Sequence, residues 1–470
     1  MNPILPLTEY VPDVEAHVFG DRVYLYGSHD KADSDRFCVQ DYVVYSSAAD
    51  DLKTWEYHGV SYRKDQDPRS VDGKLVDFYA PDCVRGNDGR YYLYYSAMGP
   101  NTRNFGPMSV AVSSYPEGPF EYWGDISYPD GTPVLRFMNN DPAVINDGGR
   151  IYLYYGWGLG RDFRSKLMKP IYDRVLAKIA DRSLEEVRNT YPSILSMAVT
   201  ELEDDMKTVK YPPKAVLDSK TTAPKGTALY DHPFYEAPSI RKIGDLYYLV
   251  YSSSVNNELA YATSRYPDRD FEVRGAIISN TDLGYRGNTR PLNNASTIHG
   301  SIECINGNCY VFYHRSTNNT DFSRQVCMER IEIGSDGTIS QVEMTSSGIE
   351  GELAGKGTYE AGIACHLITP KPIRLGVGSQ QKKPRIAEKG GKLVLKDLSK
   401  GVKADLRYFD LTASDALRIR KSGDAEILVN GRKADGNGEY SLSKERHACI
   451  TLEVTEGHCD IEELEFIVRS

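Results

Sequence analysis

The sequence predicts an all-β protein in which a five-bladed β-propeller is followed by a C-terminal β-sandwich. The main observation is a hairpin pattern that occurs five times, in which a polar residue stands seven or eight positions ahead of a Gly that opens a tyrosine-rich strand. The segments are PDVEAHVFGDRVYLYGS, APDCVRGNDGRYYLYYS, DPAVINDGGRIYLYYG, EAPSIRKIGDLYYLVYSS and HGSIECINGNCYVFYHR. Short strands joined by Asp, Asn or Gly turns are typical of β-hairpins. Their repetition every roughly 60 to 70 residues is typical of propeller blades.

Two further observations define the domains. The segments SSAADDLKTWEYHG, SSYPEGPFEYWG and SRYPDRDFEVRG follow three of the hairpins at similar intervals, which predicts four-stranded blades. Beyond residue 357 the chain changes to short alternating strands such as KLVLKDL, DLRYFDL and ACITLEV, separated by closely spaced turns, as in a β-sandwich. We therefore expect a propeller domain over residues 1–345 and a sandwich domain over residues 358–470.

The longer gap between the third and fourth hairpins predicts a helical insertion over residues 161–190. Leu167, Ile171, Val175 and Ile179 recur at i, i+4 spacing and so share one helical face. Ser183 with Glu186 fits a capping box, and Pro192 ends the stretch. We expect this short insertion to lie between blades three and four, either as a decorated loop or as a lid over the pocket.

Bulk properties exclude several classes of function. At 470 residues the chain is too long to fold around one ordinary hydrophobic core, so we expect two domains. Its net charge of −10, with no basic cluster, argues against a nucleic-acid partner or an anionic membrane, and no apolar run approaches the roughly 18 residues of a membrane span. The N-terminal MNPILPLTEYVPD lacks the basic start and apolar run of a signal peptide. We expect a cytoplasmic protein, or a secreted or periplasmic one if a signal has been removed.

The eight cysteines form neither CxxC pairs nor a regular framework, which favours buried free thiols. Cys304 and Cys309 flank the INGN turn, and a disulfide across that hairpin is the alternative for this pair.

The polar residues that lead the five hairpins carry the chemistry. They are Asp13, Asp82, Asp141, Glu236 and His299. The first strand of each propeller blade lines the central channel, so four carboxylates and one imidazole are expected to converge there. A ring of inward-facing acids is costly unless the acids are paired or used. Glycoside hydrolysis uses one protonated and one ionised carboxyl group on opposite sides of the anomeric carbon.

These segments resemble glycoside hydrolase family 43. The likeness is carried by NPILPLTEYVPD, YAPDCV, NNDPAVINDGGRIYLYYG, YEAPSIRKIGDLYYLVYSS and HGSIECINGNCYVFYHR, over roughly residues 2 to 333. It implies an inverting enzyme acting mainly on β-xylosides and α-L-arabinofuranosides. By this resemblance Asp13 is the general base, with Glu15 as its rival. Asp141 orients the acid and raises its pKa, and Glu236 is the general acid.

The resemblance also implies supporting roles. Asp82 would connect the ring of blades, and Arg315 and Arg324 would pair with the catalytic acids or bind a sugar hydroxyl. His299 would lie at the channel centre and hold a metal ion, calcium, through solvent; no organic cofactor is expected. RYFDL and CDIEELEFIV resemble carbohydrate-binding modules of family 6, so the sandwich either binds polysaccharide or buttresses the propeller.

We therefore expect an exo-acting glycosidase that releases pentosyl units from plant-type oligosaccharide or polysaccharide substrates. The alternatives within the family are an endo-acting arabinanase or xylanase, or a β-galactosidase. A non-catalytic carbohydrate-binding propeller is the alternative from another class, although it would be expected to lack one of the three acids. A fructan-processing propeller is disfavoured because NNDP stands in the third hairpin rather than the first. A phosphorylase is disfavoured because the sequence shows no cationic phosphate site.

Overall fold

The computed structural model describes residues 1–99, 106–159, 169–371, 376–377 and 384–469. In these residues thirty strands, β1 to β30, and three α-helices account for the regular structure apart from short 3₁₀ turns. The strands up to residue 331 are, in order, Glu15–Phe19, Arg22–Tyr26, Tyr42–Ala48, Glu56–Tyr62, Asp77–Arg85, Tyr91–Met98, Ser109–Ser113, Glu121–Asp125, Ala143–Asp147, Arg150–Tyr155, Met197–Leu202, Lys214–Leu217, Phe234–Ile243, Leu246–Ser253, Glu258–Ser264, Glu272–Ser279, Ile302–Ile305, Asn308–Ser316 and Arg324–Ile331. The helices are α1 Lys169–Ala180, α2 Leu184–Asn189 and α3 Ala228–Asp231.

These nineteen strands form five antiparallel sheets and confirm the five-bladed propeller. The sheet orders are β1-β2-β3-β4, β5-β6-β7-β8, β9-β10-β11-β12, β13-β14-β15-β16 and β17-β18-β19. The prediction of four strands per blade is wrong for the fifth sheet, which has three strands in the described chain. N-terminal residues cover its outer edge instead, because Ile4 N–H donates to Val326 O over 3.1 Å and Asn2 Oδ1 accepts from Met328 N–H over 2.9 Å. The first residues of the chain thereby close the ring.

The tyrosine-rich strands pack between neighbouring blades. The largest fully buried side chains of the described residues are all tyrosines. Two of their hydroxyls bond across a blade boundary: Tyr42 donates to Tyr79 O over 2.8 Å, and Tyr94 donates to Met206 O over 2.7 Å. A tyrosine thus fills the apolar space between two sheets and also donates a hydrogen bond to the next blade.

The helical insertion lies inside blade three, not between blades three and four as predicted. Helices α1 and α2 follow β10, and the sheet continues with β11 and β12 after them. The position was misjudged because β11 and β12 lack the outer-strand sequence seen in three other blades. The capping box of Ser183 and Glu186 is confirmed.

The predicted apolar face of α1 is not its buried face. Ile171, Val175 and Ile179 are 41 to 50% exposed, whereas Leu176 and Ala180 are buried. Leu167 falls outside the described residues.

The C-terminal strands form two facing sheets, as a sandwich requires. Their bounds, from β20 to β30, are Leu353–Ala354, Gly357–Glu360, His366–Ile368, Arg385–Lys389, Lys392–Ser399, Lys403–Asp410, Ala416–Gly423, Glu426–Val429, Glu439–Ser441, Ala448–Glu456 and His458–Ile467. One sheet has the order β20-β25-β29-β27 with β22 beside β25, and the other has β23-β24-β30-β26-β28 with β21 beside β30. Leu395, Leu406, Ile450 and Leu464 are among the side chains buried between them.

The sandwich is joined to the propeller through buried polar contacts. His366 Nε2 lies 2.7 Å from Asp282 Oδ2 of the propeller, and its Nδ1 lies 3.2 Å from Asp405 Oδ2 of the sandwich. Tyr10 OH also donates to Glu388 Oε1 over 2.6 Å. These contacts bring the sandwich close to the segment that leads into the first blade.

Cys304 and Cys309 form a disulfide across the hairpin of β17 and β18, so the alternative reading of this pair is correct. The other six cysteines are free, and all but Cys449 are buried. Within the described residues, the helices are too short or too polar to cross a bilayer.

Candidate active site

The inner strands place their channel-facing residues in layers, because alternate residues of a strand point to the same side. Counting every second residue along each inner segment assigns Asp13, Ala80, Asp141, Ala237 and His299 to an outermost layer, Glu15, Asp82, Ala143, Ser239 and Ser301 to a second, and His17, Val84, Ile145, Arg241 and Glu303 to a third. Glu236, predicted at the outermost position, stands one residue before Ala237. In four blades the outermost residue stands six positions before the last residue of its strand. Asp82 contacts His17 and the Val144 N–H, which follow Asp13 and Asp141 in their strands, so it lies below these two acids instead of beside them.

Backbone conformation sets the outermost layer apart. Asp13 and Asp141 have φ values of 58° and 48°, and Ala237 has 61°. Few residues other than Gly adopt this region, although Asp and Asn tolerate it better than most. Such strained positions concentrate at functional sites.

Asp13 is held as a carboxylate by a buried cation. Arg324 Nη1 donates to Asp13 Oδ1 over 2.7 Å, and His314 Nδ1 lies 3.2 Å from the same oxygen. Burial raises the pKa of Asp13, but the Arg324 charge and His314 outweigh it and hold that pKa well below its usual range. Arg324 is itself fixed by Asp30, whose Oδ2 accepts from Nε over 2.8 Å. Asp13 is thus ionised at any working pH.

In contrast to Asp13, Glu236 and Asp141 favour their protonated forms. Burial, followed by the negative charge of Asp13, raises the pKa of Glu236 to about 7, against the lowering effects of Arg324 and a hydrogen bond with Trp157. Burial and the charges of Glu236 and Asp13 also raise the pKa of Asp141 well above its usual value. Asp141 Oδ2 accepts the Ala237 N–H over 3.1 Å and so fixes the backbone next to Glu236. Hence the structure brings together an ionised Asp13 and a pair of acids that retains a proton near neutrality.

Asp82 and Glu15 belong to the second layer. Asp82 is fully buried, accepts the Val144 N–H over 2.7 Å and lies 2.6 Å from His17 Nε2, so it connects the first three blades. Glu15 Oε2 accepts from Ser239 Oγ over 3.0 Å and from Arg241 Nη2 over 2.8 Å. Its partners therefore lie below the outermost layer that Asp13 occupies.

Arg315 does not reach the site. Its guanidinium donates to Gln325 Oε1, and to the backbone oxygens of Gly362 over 2.8 Å and Ala364 over 3.1 Å. Because successive side chains of a strand point to opposite faces, Arg315 turns toward the sandwich while His314 turns toward Asp13. The pairing with the catalytic acids that the sequence predicted for Arg315 is thus made by Arg324 and His314.

Sequence reasoning missed Asp30, His314 and Trp157. Asp30 follows β2 and Trp157 follows β10, where the hairpin pattern has already ended, so the repeat carried no signal for them. His314 stands in the quoted YHR segment, and strand alternation would have selected it once Arg315 was assigned to the other face.

His299 keeps one ring nitrogen available as a metal ligand, and solvent would have to supply the oxygen ligands of a calcium ion. Calcium takes six to eight oxygen ligands. Burial lowers the pKa of His299 to about 4, so the imidazole is neutral, and its buried Nε2 has no hydrogen-bond partner within the described residues. Among the described residues, one group of three side chains lies close enough together to share a metal ion. It consists of Glu15, His17 and Asp82, and it does not include His299. The Arg241 guanidinium also lies in that group, 3.5 Å from His17 Nε2.

Glu236 opens onto a cavity of about 830 Å³ between blades four and five. Its lining includes Tyr235, Ser253, Asn256, Thr297 and, from the C-terminal part of the chain, Val377. The insertion packs nearby, since Ile179 and Ala180 border a smaller cavity of about 190 Å³ together with Met138 and Trp157. The helices thus lie beside the hydrogen-bond partner of Glu236, at the rim of the site.

Comparisons of the sequence with known proteins identify the family of this chain. The family model described as Glycosyl hydrolases family 43 matches residues 1–339. The chain belongs to glycoside hydrolase family 43. A curated relative from Thermoclostridium stercorarium, named xylosidase/arabinosidase, is 39% identical over 455 residues, which is 93% of this chain and 88% of the relative. The family 43 chain is therefore a glycoside hydrolase.

Two solved structures of family 43 enzymes have a fold similar to that of this chain. A β-xylosidase/α-arabinofuranosidase from a compost microbial metagenome, in complex with xylotriose and in a calcium-free form, is 25% identical with a TM-score of 0.54; the match covers 73% of this chain and 97% of that one. A Bacillus subtilis arabinoxylan arabinofuranohydrolase matches 100% of this chain and 97% of its own at 17% identity and a TM-score of 0.51. The second match supports the fold over both the propeller and the sandwich.

Proposed function

We propose that this family 43 enzyme is an exo-acting, inverting glycosidase that releases β-xylosyl or α-L-arabinofuranosyl units from oligosaccharides. The observation that carries the proposal is the opposed protonation of two buried acids: Asp13 is ionised beside Arg324, and Glu236 has a pKa of about 7. Glycoside hydrolysis needs this combination of an ionised carboxylate and a protonated acid, and the inverting outcome rests on the likeness to family 43.

In the proposed reaction Asp13 removes a proton from a water molecule as that oxygen forms its bond to the anomeric carbon. The glycosidic bond breaks at the same carbon, and Glu236 transfers its proton to the leaving oxygen. Asp13 then carries one proton more and Glu236 one fewer, and exchange with solvent restores both. Asp141 acts as a positioning residue, because its Oδ2 accepts the Ala237 N–H next to Glu236.

The cavity beside Glu236 supports a place for the leaving group, because a general acid must lie next to the oxygen that it protonates. The choice of pentosyl substrates rests on the relatives, which are named xylosidase/arabinosidase and β-xylosidase. Calcium at His299 and a cytoplasmic location stay predictions, and no step of the mechanism depends on either.

A hydrolysis screen tests the proposal. We expect release of 4-nitrophenol from the β-xyloside or the α-L-arabinofuranoside, little from the β-galactoside, and almost none from any substrate with Asp13→Asn. NMR of the first product formed should show an anomer opposite to that of the substrate. A product of retained configuration would refute the inverting mechanism. Hydrolysis of internal bonds in xylan or arabinan, without release of monosaccharide, would instead support the endo-acting alternative.

A further inference from the structure

The cavity that Glu236 borders takes in only one side of the catalytic site. Glu236 is among the residues that line this cavity of about 830 Å³, whereas Asp13 and Arg324 are not. The general acid and the general base of a glycosidase stand on opposite sides of the anomeric carbon. A cavity that reaches the acid but not the base therefore lies on the side of the leaving group.

The walls of this cavity are polar and almost uncharged. Serine, threonine and asparagine side chains from residues 252–257 and 296–297 make up half of the lining, and among the described residues Glu236 is the one charged side chain in it. A charged ligand would find no counter-ion on these walls, whereas neutral hydroxyl groups would find hydrogen-bond partners. The volume lies within the range of roughly 300 to 1,000 Å³ that is typical of ligand pockets. The cavity thus suits an uncharged sugar.

Two buried polar atoms in this lining have no hydrogen-bond partner within the described residues. They are Ser296 Oγ and Asn257 Nδ2, and Ser296 is only 5% exposed. Burying a polar atom without a partner is costly, and a bound ligand can supply the partner. A serine hydroxyl both donates and accepts, and an amide nitrogen donates, so the two atoms match the hydroxyl groups of a sugar.

The turn that carries Asn257 is held in a fixed conformation. Asn256 and Asn257 have φ values of 57° and 45°, a region that few residues other than Gly adopt. Ser279 Oγ donates to Asn256 O over 2.7 Å, and Asn256 Nδ2 donates to Glu258 Oε2 over 3.3 Å. The neighbouring groups thus fix the turn and leave the amide nitrogen of Asn257 available to a ligand.

The C-terminal part of the chain completes the rim of the cavity. Gly376 N–H donates to Ala295 O over 3.1 Å, next to Ser296, and Val377 lines the cavity while 59% exposed. Both residues stand between β22 and β23. An apolar side chain beside polar ones suits a sugar ring, which presents C–H groups as well as hydroxyls.

We propose that this cavity binds the sugar residue of the leaving group, with Ser296 Oγ and Asn257 Nδ2 bonding to its hydroxyls and Val377 packing against its ring. The proposal rests on the glycosidase function proposed above and names the residues that select the leaving group. It gives the C-terminal part of the chain a role in substrate choice, in addition to its contacts with the propeller.

Kinetics of single variants form the first test. Ser296→Ala and Asn257→Gly should each lower kcat/KM on xylobiose about 3- to 10-fold, as expected for one lost hydrogen bond. The loss should be smaller on 4-nitrophenyl β-xyloside, whose leaving group carries no sugar hydroxyl. Gly is chosen at position 257 because it adopts the left-handed backbone without strain. Equal losses on the two substrates, or no loss on xylobiose, would overturn the assignment of these residues.

The substrates follow from the hydrolysis screen. If the screen shows arabinofuranosidase activity alone, arabinofuranosyl-xylobiose and 4-nitrophenyl α-L-arabinofuranoside replace the two xylosides, and the same losses are expected. Far-UV circular dichroism confirms that each variant is folded.

Val377→Ser tests the contribution of the C-terminal part. It should lower kcat/KM on the oligosaccharide about 2- to 5-fold, because an apolar contact is lost, and less on the aryl glycoside. Val468→Ser, at a position 52% exposed near the end of the chain, is the matched control and should equal the unaltered protein. Asn437→Gly, at an exposed turn of the sandwich, is the control for Asn257→Gly. An unchanged ratio of the two kcat/KM values in Val377→Ser would overturn the role of Val377.

Binding measurements separate this proposal from the proposed function. Isothermal titration of xylotriose into Asp13→Asn should give an affinity that Ser296→Ala and Asn257→Gly, each added to that variant, weaken about 3- to 10-fold. Such weakening in a protein whose unaltered form hydrolyses no glycoside would refute the glycosidase function and support the cavity as a sugar site. Hydrolysis by the unaltered enzyme, with equal affinities in these variants or no binding to Asp13→Asn, would keep the function and overturn the inference.

Discussion

Arg324 Nη1 donates to Asp13 Oδ1 over 2.7 Å, and the two side chains are only 5% and 6% exposed. A guanidinium in direct contact with a buried carboxylate stabilises its ionised form strongly. The carboxylate assigned as the base is therefore ready to accept a proton at every pH at which the protein is folded. This contact also makes the pH dependence of the enzyme asymmetric.

We predict that kcat/KM falls above about pH 7 and shows no acid limb from Asp13 in the mildly acidic range. The alkaline limb arises because Glu236, with a pKa of about 7, loses the proton that the leaving group needs. The acid limb is missing because the pKa of Asp13 lies well below its usual range. The measurement is a pH profile of kcat/KM between pH 4 and pH 9, with far-UV circular dichroism confirming the folded state. A symmetric bell with an acid midpoint near pH 4 to 5 would contradict this assignment of Asp13.

Replacing the acid tests its identity separately. Glu236→Gln should lower kcat about 100- to 10,000-fold on substrates with poor leaving groups, because the amide N–H is too weakly acidic to protonate the leaving oxygen. The loss should be much smaller on a 2,4-dinitrophenyl glycoside, whose leaving group departs without protonation. Glu272→Gln, at an exposed position of β16, is the matched control and should keep full activity on both. Equal losses on good and poor leaving groups would remove Glu236 from the acid role.

The repeat in the sequence was sufficient to predict the propeller but not the exact layer of each acid. Asp13 and Asp82 both stand seven residues before a Gly, yet the turn of the first hairpin spans residues 20–21 and that of the second spans 86–90. The Gly therefore occupies different places in the two hairpins, and counting back from it places Asp82 one layer too high. Turn lengths depend on backbone geometry that residue spacing alone does not reveal.

Charge partners were harder to predict than the acids themselves. Asp30 stands at no shared repeat position, and it matters only because the closed ring brings it to Arg324. Such pairs join residues more than 200 positions apart. A single sequence offers no signal for pairs at that separation, whereas the hairpins are local and could be predicted.

Trp157 should tune the acid without taking part in proton transfer. Its hydrogen bond lowers the pKa of Glu236, so Trp157→Phe should move the midpoint of the alkaline limb to higher pH. The midpoint is read from a pH profile of kcat/KM and does not depend on the absolute rate. Trp123→Phe is the matched control, since the Trp123 indole donates to Asp205 O over 2.8 Å in the outer part of the propeller, and its midpoint should not move. A midpoint that stays in place or moves to lower pH in Trp157→Phe would contradict the assignment.

The backbone at Asp13 predicts a difference between two inactive variants. Its φ of 58° is tolerated better by Asn than by Ala, so Asp13→Ala should be less stable than Asp13→Asn by about 1 kcal/mol. The amide of the Asn variant also keeps an acceptor for Arg324. The measurement is urea denaturation of both variants, with Asp35→Asn and Asp35→Ala as a control pair at an exposed site. Equal stabilities of the two Asp13 variants would show that the strain is relieved elsewhere.

The buried bridge between the domains should make stability depend on pH. His366 lies between Asp282 and Asp405, and these carboxylates raise its pKa although its burial opposes protonation. A raised pKa in the folded state stabilises the fold below the unfolded pKa of about 6.5, and this contribution is lost as the pH rises through the folded value. His366→Gln should therefore cost about 3 to 5 kcal/mol near pH 6, because two buried carboxylates lose their cation, and less near pH 9.

Urea denaturation of the full chain at both pH values measures this difference. His458→Gln, at a half-exposed position of the sandwich, is the control and should change stability little at either pH. A loss for His366→Gln that is equal at pH 6 and pH 9 would mean that the imidazole is neutral in the folded protein and acts only as a hydrogen-bond donor. A loss that grows with pH would require the opposite linkage, in which folding lowers the pKa of His366.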